Sequence, residues 1–371
     1  MEQTNTRAHA DTSHQVALEP TIIDHVAQFV ERFVFIRDKA LYLLIALWVL
    51  ATYLHEKFEY TGYLFAHSPE PQSGKSRLLE VLDLLVSKSS GVLVHPSSAV
   101  LFRTARGGTQ LLDEVDSWPN LDELRGILNA GFKNGGSVPR MEKDDEGHYY
   151  VLHFIAYCPR ALAGIGRGIL RGATQDRTFM FEMVRQMRDE RREPLKRKQK
   201  QQAGPLKGKI VQWVKKNEKA VAALYDECEF QYLDNFRDRT IDITQPLAAI
   251  LDVVYKDDPR LEEKRQCLID AIAITRKEQD SLLSEQHQLL VELLRLAKDE
   301  EPLIGSASEL AERCTSLQQK PSDYAVARVL RNFGFETKSV RKDGRPRYRY
   351  VLSRKILEEV VARYIDAGLA P

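Results

Sequence analysis

The stretch Ser68-Pro-Glu-Pro-Gln-Ser-Gly-Lys-Ser76 decides how this chain folds. An apolar run of strand length, Gly62-Tyr-Leu-Phe-Ala-His67, leads into it, and the periodicity of Arg77 to Val86 predicts a helix behind it. A strand, a tight turn, a lysine and a hydroxyl at a helix start are the parts of a phosphate loop. Backbone N–H groups of such a loop wrap an anion, and the helix dipole favours negative charge there. The candidate lining is Pro71, Gln72, Ser73, Gly74, Lys75, Ser76 and Arg77. Lys75 would pair with β and γ phosphates, and the Ser76 hydroxyl would hold Mg²⁺. Gly74, Lys75 and Ser76 satisfy the pattern GxxxxGK[ST], but Pro69 stands where its first glycine belongs. The competing reading is a capped helix start with an exposed lysine. The strand before and the apolar helix behind favour the phosphate loop.

Downstream, Thr109-Gln-Leu-Leu-Asp-Glu-Val-Asp116 puts Asp113 and Glu114 at the carboxyl end of a predicted strand. Open α/β sheets bind their ligands at that edge. Asp113 would orient Mg²⁺ and its waters, and Glu114 would activate water for attack on a γ-phosphate. Alone, the pair could be a solvated acidic turn. With a phosphate loop before it and a strand–helix unit between, it completes a constellation for nucleotide hydrolysis. Gly91–His95, Val151–Cys158 and Thr178–Met183 read as further strands, and Ser97–Arg106 and Leu121–Phe132 as helices. The alternation predicts the α/β class, a parallel sheet covered by helices. Upstream, Thr21 to Phe58 reads as helical.

The 371 residues hold 54 Lys and Arg against 53 Asp and Glu, with 43% apolar and 29% charged residues. Such a composition excludes a mostly disordered chain. Near-neutrality does not exclude nucleic acid, because local patches decide. Cys158, Cys228, Cys267 and Cys314 form no CxxC or Cys/His cluster, so neither a zinc site nor a disulfide framework is expected. Met1 to His14 lacks the apolar core of a signal peptide. Ala40–Leu54 is shorter than the about 20 residues that span a bilayer. A buried helix, no membrane partner and a cytoplasmic location are expected.

The chain resembles AAA+-type ATPases, most closely a mobile-element family known only as a domain of unknown function. The resemblance lies in Ser68 to Ser76, in Leu111-Leu-Asp-Glu-Val-Asp116, in Glu123-Leu-Arg-Gly-Ile-Leu-Asn-Ala-Gly131 and in Pro159-Arg-Ala-Leu-Ala-Gly-Ile-Gly166. It spans roughly residues 20–190 and includes the proline at position 69. It implies an AAA+-like P-loop core that uses ATP and Mg²⁺. Members of that family sit beside phage and integrated-element replication genes, which implies work on DNA. In AAA+ proteins an arginine before the last core strand often reaches a neighbouring subunit's nucleotide. By that resemblance Arg177, before Phe179-Met-Phe181, is the arginine-finger candidate and Arg171 the second; the alternative is a surface arginine in a loop. A finger is worth about 10³–10⁵ in rate and requires a ring or a dimer.

Arg140 to His153 suggests a β-hairpin turning at Asp144-Asp-Glu-Gly147. Ring helicases of superfamily three grip DNA with a hairpin here, and Lys143 and His148 flank its tip. The tip is acidic and would repel phosphate, which favours a plain connection. Tyr157 and Cys158 read as the end of the strand that carries a polar sensor in AAA+ proteins, and neither residue is a usual sensor. Ala163-Gly-Ile-Gly-Arg-Gly168 imitates a dinucleotide fingerprint but misses its third glycine.

From Arg185 to Lys216 there are twelve basic residues against three acidic ones, a nucleic-acid contact or simply a charged linker. Lys209 to Lys298 reads as helical. Beyond Pro302 the pattern changes to a helix (Ser322–Phe333), two strands (Phe335–Val340 and Arg347–Leu352) and a helix (Lys355–Ile365), which resembles a winged-helix domain. Arg341, Lys342, Arg345, Arg347 and Arg349 crowd the wing, with Arg328 and Arg331 on the recognition helix. These are the candidate nucleic-acid contacts, against the alternative of a protein-contact wing.

The expected organisation is a flexible tail (1–19), N-terminal helices with the ATPase core (20–190), a basic linker and helical lid (191–301), and a winged-helix-like domain (302–371). The expected activity is Mg²⁺-dependent ATP hydrolysis coupled to DNA, of helicase or replication-initiator type for a mobile element. The alternative is a nucleotide-dependent assembly or defence switch that recruits a protein partner.

Overall fold

The computed structural model describes residues 19–364 except 120, 167–168, 171, 228, 281–284, 318–319 and 343–344. The chain divides into two compact units, 1–278 and 279–371.

The first unit opens with α1 (Ile22–Phe33), whose buried Ile23, Val26, Phe29, Val30 and Phe33 form one helical stripe. Thr21 and Asp24 close its N-terminus as a capping box. The helical run expected over Thr21–Phe58 breaks here, because the Tyr42 hydroxyl takes over the backbone groups at the break. It accepts from the Ile36 N–H at 2.8 Å and donates to the Val34 carbonyl at 2.9 Å. Helix α2 (Ala40–Leu54) then runs through the core, buried almost all round. Its apolarity serves packing against α1 and, further along the chain, α8 (Ala203–Glu227) and α9 (Asp238–Val254).

The central sheet follows, its elements interleaved with helices. In chain order they are β1 (Tyr63–Ser68), α3 (Lys75–Leu85), β2 (Ser89–Val94), α4 (Ser98–Ala105), β3 (Thr109–Asp113) and α5 (Leu121–Gly131). A hairpin of β4 (Ser137–Lys143) and β5 (Tyr149–Ile155) precedes β6 (Arg160–Ile165), α6 (Ala173–Asp176) and β7 (Thr178–Glu182). Five strands pair in the order β2-β3-β6-β1-β7, all parallel. This is the α/β class that the alternation of strands and helices predicts. Helices α7 (Arg197–Gln201), α8, α9 and α10 (Leu261–Asp280) complete the unit.

One strand differs from expectation. The core strand is Arg160–Ile165, whereas Val151–Ile155 belongs to the hairpin outside the main sheet. The apolar side chains of Val151, Leu152 and Ile155 are exposed. A fully buried arginine heads the true strand and masks it in the sequence. Arg160 donates to Gln110 Oε1 (2.7 Å), to the Ala156 carbonyl (2.7 Å) and to the Tyr63 hydroxyl (3.1 Å). Neutral acceptors satisfy this cation, so its removal would strand several buried polar groups.

Gly131 lies against the same cluster, where an added Cβ would collide with the Ala156 carbonyl and the Arg160 guanidinium. Gly131→Ala is expected to cost about 1–3 kcal/mol. The measurement is the urea midpoint at constant m-value; an unchanged midpoint would show that the cluster yields.

The second unit contains α11 (Glu285–Asp299), β8 (Leu303–Gly305), α12 (Ala307–Arg313), α13 (Asp323–Asn332), β9 (Thr337–Lys342), β10 (Arg345–Leu352) and α14 (Arg354–Tyr364). Its antiparallel sheet has the order β8-β10-β9. Leu289, Leu290 and Leu293 of α11 pack into the core made by Leu310, Val326, Val329, Leu330, Leu352 and Leu357. The helices after Lys209 therefore fall into two groups. Helices α8, α9 and α10 pack in the first unit, while α11 is part of the second.

Candidate functional site

Strand order reverses at β1, because β2 and β3 lie on one side of it and β7 on the other. The carboxyl end of β1 therefore opens at a topological switch point, where open α/β sheets bind ligands. Ser68, the last residue of β1, lies beside Ile165 of β6, and the Ser68 carbonyl accepts from the Gly166 N–H at 2.9 Å. The loop turns at two left-handed residues, Gln72 (φ 63°) and Gly74 (φ 91°). Only glycine adopts the second geometry without penalty. Pro69 keeps its ring-fixed φ, so the left-handed turn comes late in the loop and the missing first glycine is tolerated.

Lys75 heads α3 and is 8% exposed. Its ammonium donates to Ser68 Oγ (2.5 Å), Ser73 Oγ (3.2 Å) and the Glu70 carbonyl (3.2 Å). Burial pushes its pKa down, while the carboxylates of Asp116 and Asp113 work in the opposite direction. The Ser76 hydroxyl belongs to the first turn of this helix, and Arg77 pairs with Glu80 at 3.0 Å. From beyond β7, Arg185 donates to the Pro71 carbonyl at 3.2 Å and lies 3.8 Å from the Glu70 carboxylate.

The acidic pair ends β3 at the same edge of the sheet. Asp113 is 8% exposed, and its Oδ1 accepts from the Glu114 N–H at 2.9 Å. Glu114 is exposed in the left-handed region at φ 53° and ψ 39°. That conformation costs a non-glycine residue about 1–3 kcal/mol. Ser117 Oγ donates to the Glu114 carbonyl at 2.8 Å and meets His95 Nε2 at 2.5 Å. Asp116 Oδ1 accepts from the Ile165 N–H at 2.8 Å, tying the acidic turn to the end of β6. Gln72, His95 and Glu114 are three of the four described non-glycine residues with positive φ, and all three lie at this edge. Strain of this kind gathers where a structure holds a functional geometry.

Sequence reasoning assigned no role to Ser68, His95, Asp116 or Arg185. Ser68 and Asp116 were visible within the two motifs, whereas His95 and Arg185 depend on contacts between distant segments. Among the described residues no three His, Cys, Asp or Glu side chains form an all-protein metal cage. The donor set fits Mg²⁺ bound through Asp113, Ser76 and substrate phosphates, with water filling the rest.

Arg177 lies at the opposite edge. Its carbonyl accepts from Tyr63 N–H, at the start of β1, at 3.0 Å. Strand rise puts about 17–20 Å between this point and the loop that follows β1 in the same chain. The guanidinium donates to Asn129 Oδ1 (2.8 Å) and the Ala173 carbonyl (2.6 Å) and stacks 4.2 Å from the Phe132 ring centroid. Arg171 lies outside the described residues, as does the Arg167-Gly168 end of the fingerprint imitation. Tyr157 and Cys158 do not end a core strand as expected. They lie between β5 and β6 at the N-terminal edge, where the Tyr157 hydroxyl bonds the His55 and Phe58 carbonyls at 2.7 and 2.9 Å. Gly164, Ile165 and Gly166 occupy the position beside the loop.

In the hairpin, Asp144 Oδ1 accepts from the Glu146 and His148 N–H groups, closing the acidic turn. His148 faces Asp144 (3.5 Å) and Glu146 (3.8 Å), and Lys143 lies 5.6 Å from the Tyr149 ring.

In the second unit, Arg328 and Arg331 lie on α13, and Arg341 and Arg347 are exposed on the β9–β10 hairpin with Tyr348. Lys342 and Arg345 belong to the two strands, with side chains outside the described residues. Arg349 departs from expectation. It is buried and paired with Glu309 of α12 at 2.5 Å, because β8 and α12 cover this end of β10. A guanidinium held there is a structural cation and not a phosphate contact.

No family model matches the chain, and no curated protein matches it. Solved structures give remote likenesses. One is SCCmec type IV Cch, an active helicase, with 13% identity over 91% of this chain and 68% of that one, at a TM-score of 0.42. The NrS-1 C-terminal region is 13% identical over 91% of this chain and 79% of that one, at 0.41. The ORC2 protein of Aeropyrum pernix, in ADPNP–ADP complexes, is 13% identical over 93% and 98%, at 0.27. TM-scores below 0.5 leave the chain without an assigned family.

Proposed function

We propose that this chain is a Mg²⁺-dependent, AAA+-like ATPase whose turnover is coupled to DNA, with helicase-like or replication-initiator activity for a mobile element. The observation that carries the reading is one sheet edge. A buried lysine begins a helix after a left-handed glycine, and an acidic pair ends a strand at the same edge. Backbone N–H groups of Ser73 to Arg77 and the Lys75 ammonium bind the phosphates. Ser76 and Asp113 would hold Mg²⁺, which would supply charge neutralisation at the transferring phosphoryl group. Glu114, exposed on its strained turn, accepts the proton of the attacking water. Arg177 faces away from its own loop and serves a neighbour's site in a ring or dimer.

The second unit acts as a winged-helix-like DNA module. Arg328 and Arg331 lie on its recognition helix, and Arg341, Lys342, Arg345 and Arg347 on its wing. The deciding measurement is steady-state ATPase activity with and without single- and double-stranded DNA. DNA should raise turnover. Arg341→Ala and Arg347→Ala should each flatten the slope of log K against log salt by about 1, whereas Arg349→Gln should lower stability instead. Turnover indifferent to DNA would move the assignment to a nucleotide-dependent assembly switch, and unchanged salt slopes would remove the wing from the interface.

A further inference from the structure

At the N-terminal edge of the sheet two guanidiniums share one aromatic ring. The Arg177 and Arg239 Cζ atoms lie 4.2 and 4.8 Å from the Phe132 centroid. Phe132 is buried and stacks on Tyr60 at 5.6 Å. Arg239 also reaches Tyr60 (5.9 Å), as does Lys133 (5.4 Å). Arg239 comes from the first turn of α9, far from Arg177 in sequence.

The cations of this cluster are not equally paired. Arg177 bonds only to the neutral Asn129 and Ala173 oxygens, and its buried Nε has no hydrogen-bond partner among the described residues. Arg239 is paired with Asp242 at 3.0 Å and Lys133 with Glu59 at 3.0 Å. Arg239 and Lys133 thus each hold a carboxylate at ion-pair distance, whereas Arg177 has no such pair among the described contacts and is reached only by the field of Asp176. Burial lowers its pKa first and the neighbouring Arg239 charge lowers it further, against the opposing pull of Tyr63 and Asp176. Two like charges held together in a half-buried site repel each other until an anion sits between them.

We propose that Arg239 joins Arg177 in a two-guanidinium receptor for the terminal phosphoryl group of a nucleotide held by a second copy of this chain. The inference rests on the nucleotide-site reading above. Planar guanidiniums match phosphoryl oxygens with paired N–H donors, and the aromatic ring holds both planes in place. The receptor lies at the sheet edge away from its own loop, so the phosphoryl group comes from another molecule. At the loop edge Arg77 is paired with Glu80, and Lys75 and the exposed Arg185 are the other cations described there, which leaves the outer phosphate open to cations from a neighbour.

The test uses the full chain. Sedimentation velocity with Mg²⁺ and a non-hydrolysable ATP analogue is compared with ADP, and fluorescent-nucleotide affinity is measured alongside. The wild type should associate further with the ATP analogue. Arg239→Ala should lose that association and about 10³-fold in turnover while keeping nucleotide affinity. Arg239→Lys, which keeps the charge but not the paired donors, should remain deficient and guards against loss of fold. Mixing Arg239→Ala with Lys75→Ala, each inactive alone, should restore part of the activity. Full turnover and association in Arg239→Ala would overturn the receptor while leaving the nucleotide site intact. A wild type that binds no nucleotide would instead sink the nucleotide-site reading, and with it the source of the phosphoryl group. Stabilisation by inorganic phosphate that depends on Arg239, without nucleotide-driven association, would assign the pair to a free anion and overturn the neighbour's nucleotide as its occupant.

Discussion

Glu114→Gln is expected to lower ATP turnover by about 10²–10⁴-fold, the range that a positioned general base supplies. Nucleotide affinity should remain close to that of the wild type. The replacement keeps shape and hydrogen-bonding reach and removes only the ability to take a proton. The binding parts are separate: the Lys75 ammonium lies among Ser68, Ser73 and Glu70, and the Asp113 carboxylate caps the Glu114 N–H. The backbone at position 114 is left-handed for a reason independent of the side chain. It is fixed by Asp113, by the Ser117 bonds to the Glu114 carbonyl and by Asp116 anchored on Ile165. The split between unchanged binding and lost kcat is therefore the diagnostic. Normal turnover in Glu114→Gln would return the base assignment to another group at this edge. A parallel loss of binding would mean that the side chain holds the site together.

The geometry of the loop after β1 and of the acidic pair is legible in the sequence because it is local. A strand, a left-handed glycine and a helix start follow one another without interruption, and the acids end a strand of five buried residues. The strand Arg160–Ile165 was hidden for the opposite reason. Its arginine is an outlier by type, and it is buried because Gln110, Tyr63 and Ala156, from three separate segments, supply neutral acceptors. The apolar Val151–Ile155 drew the strand assignment toward the hairpin. Arg349 shows the same limit. Its place among exposed basic neighbours suggested a phosphate contact, but the β8 pairing and α12 turn that position into a buried ion pair. Arg239 could not be found by motif at all. It matters only because α9 brings it to Phe132, beside an arginine from a distant part of the chain.

Lys75→Ala is expected to abolish turnover and to weaken nucleotide binding by at least about 10–100-fold, the loss of one to two charge-assisted hydrogen bonds. Folding stability should change little. The lysine sits half-desolvated at a cost, and the hydroxyl of Ser68 keeps its own bond to the Glu70 carbonyl at 2.5 Å after the ammonium is gone. The pH dependence provides a second signature. The folded-state pKa of Lys75 is lowered, so deprotonation begins below the ordinary lysine range. The phosphates require the ammonium form, and nucleotide affinity should therefore fall as pH rises through that lowered value. The free-protein stability should move the other way, because above that value the unfolded chain binds the extra proton and the burial penalty is relieved. Lys75→Ala should remove both trends. Isothermal titration across alkaline pH, paired with urea unfolding, measures them separately. Retained affinity in Lys75→Ala would show that the backbone nest and α3 dipole carry the phosphates alone, and the lysine would then be a structural group of the loop.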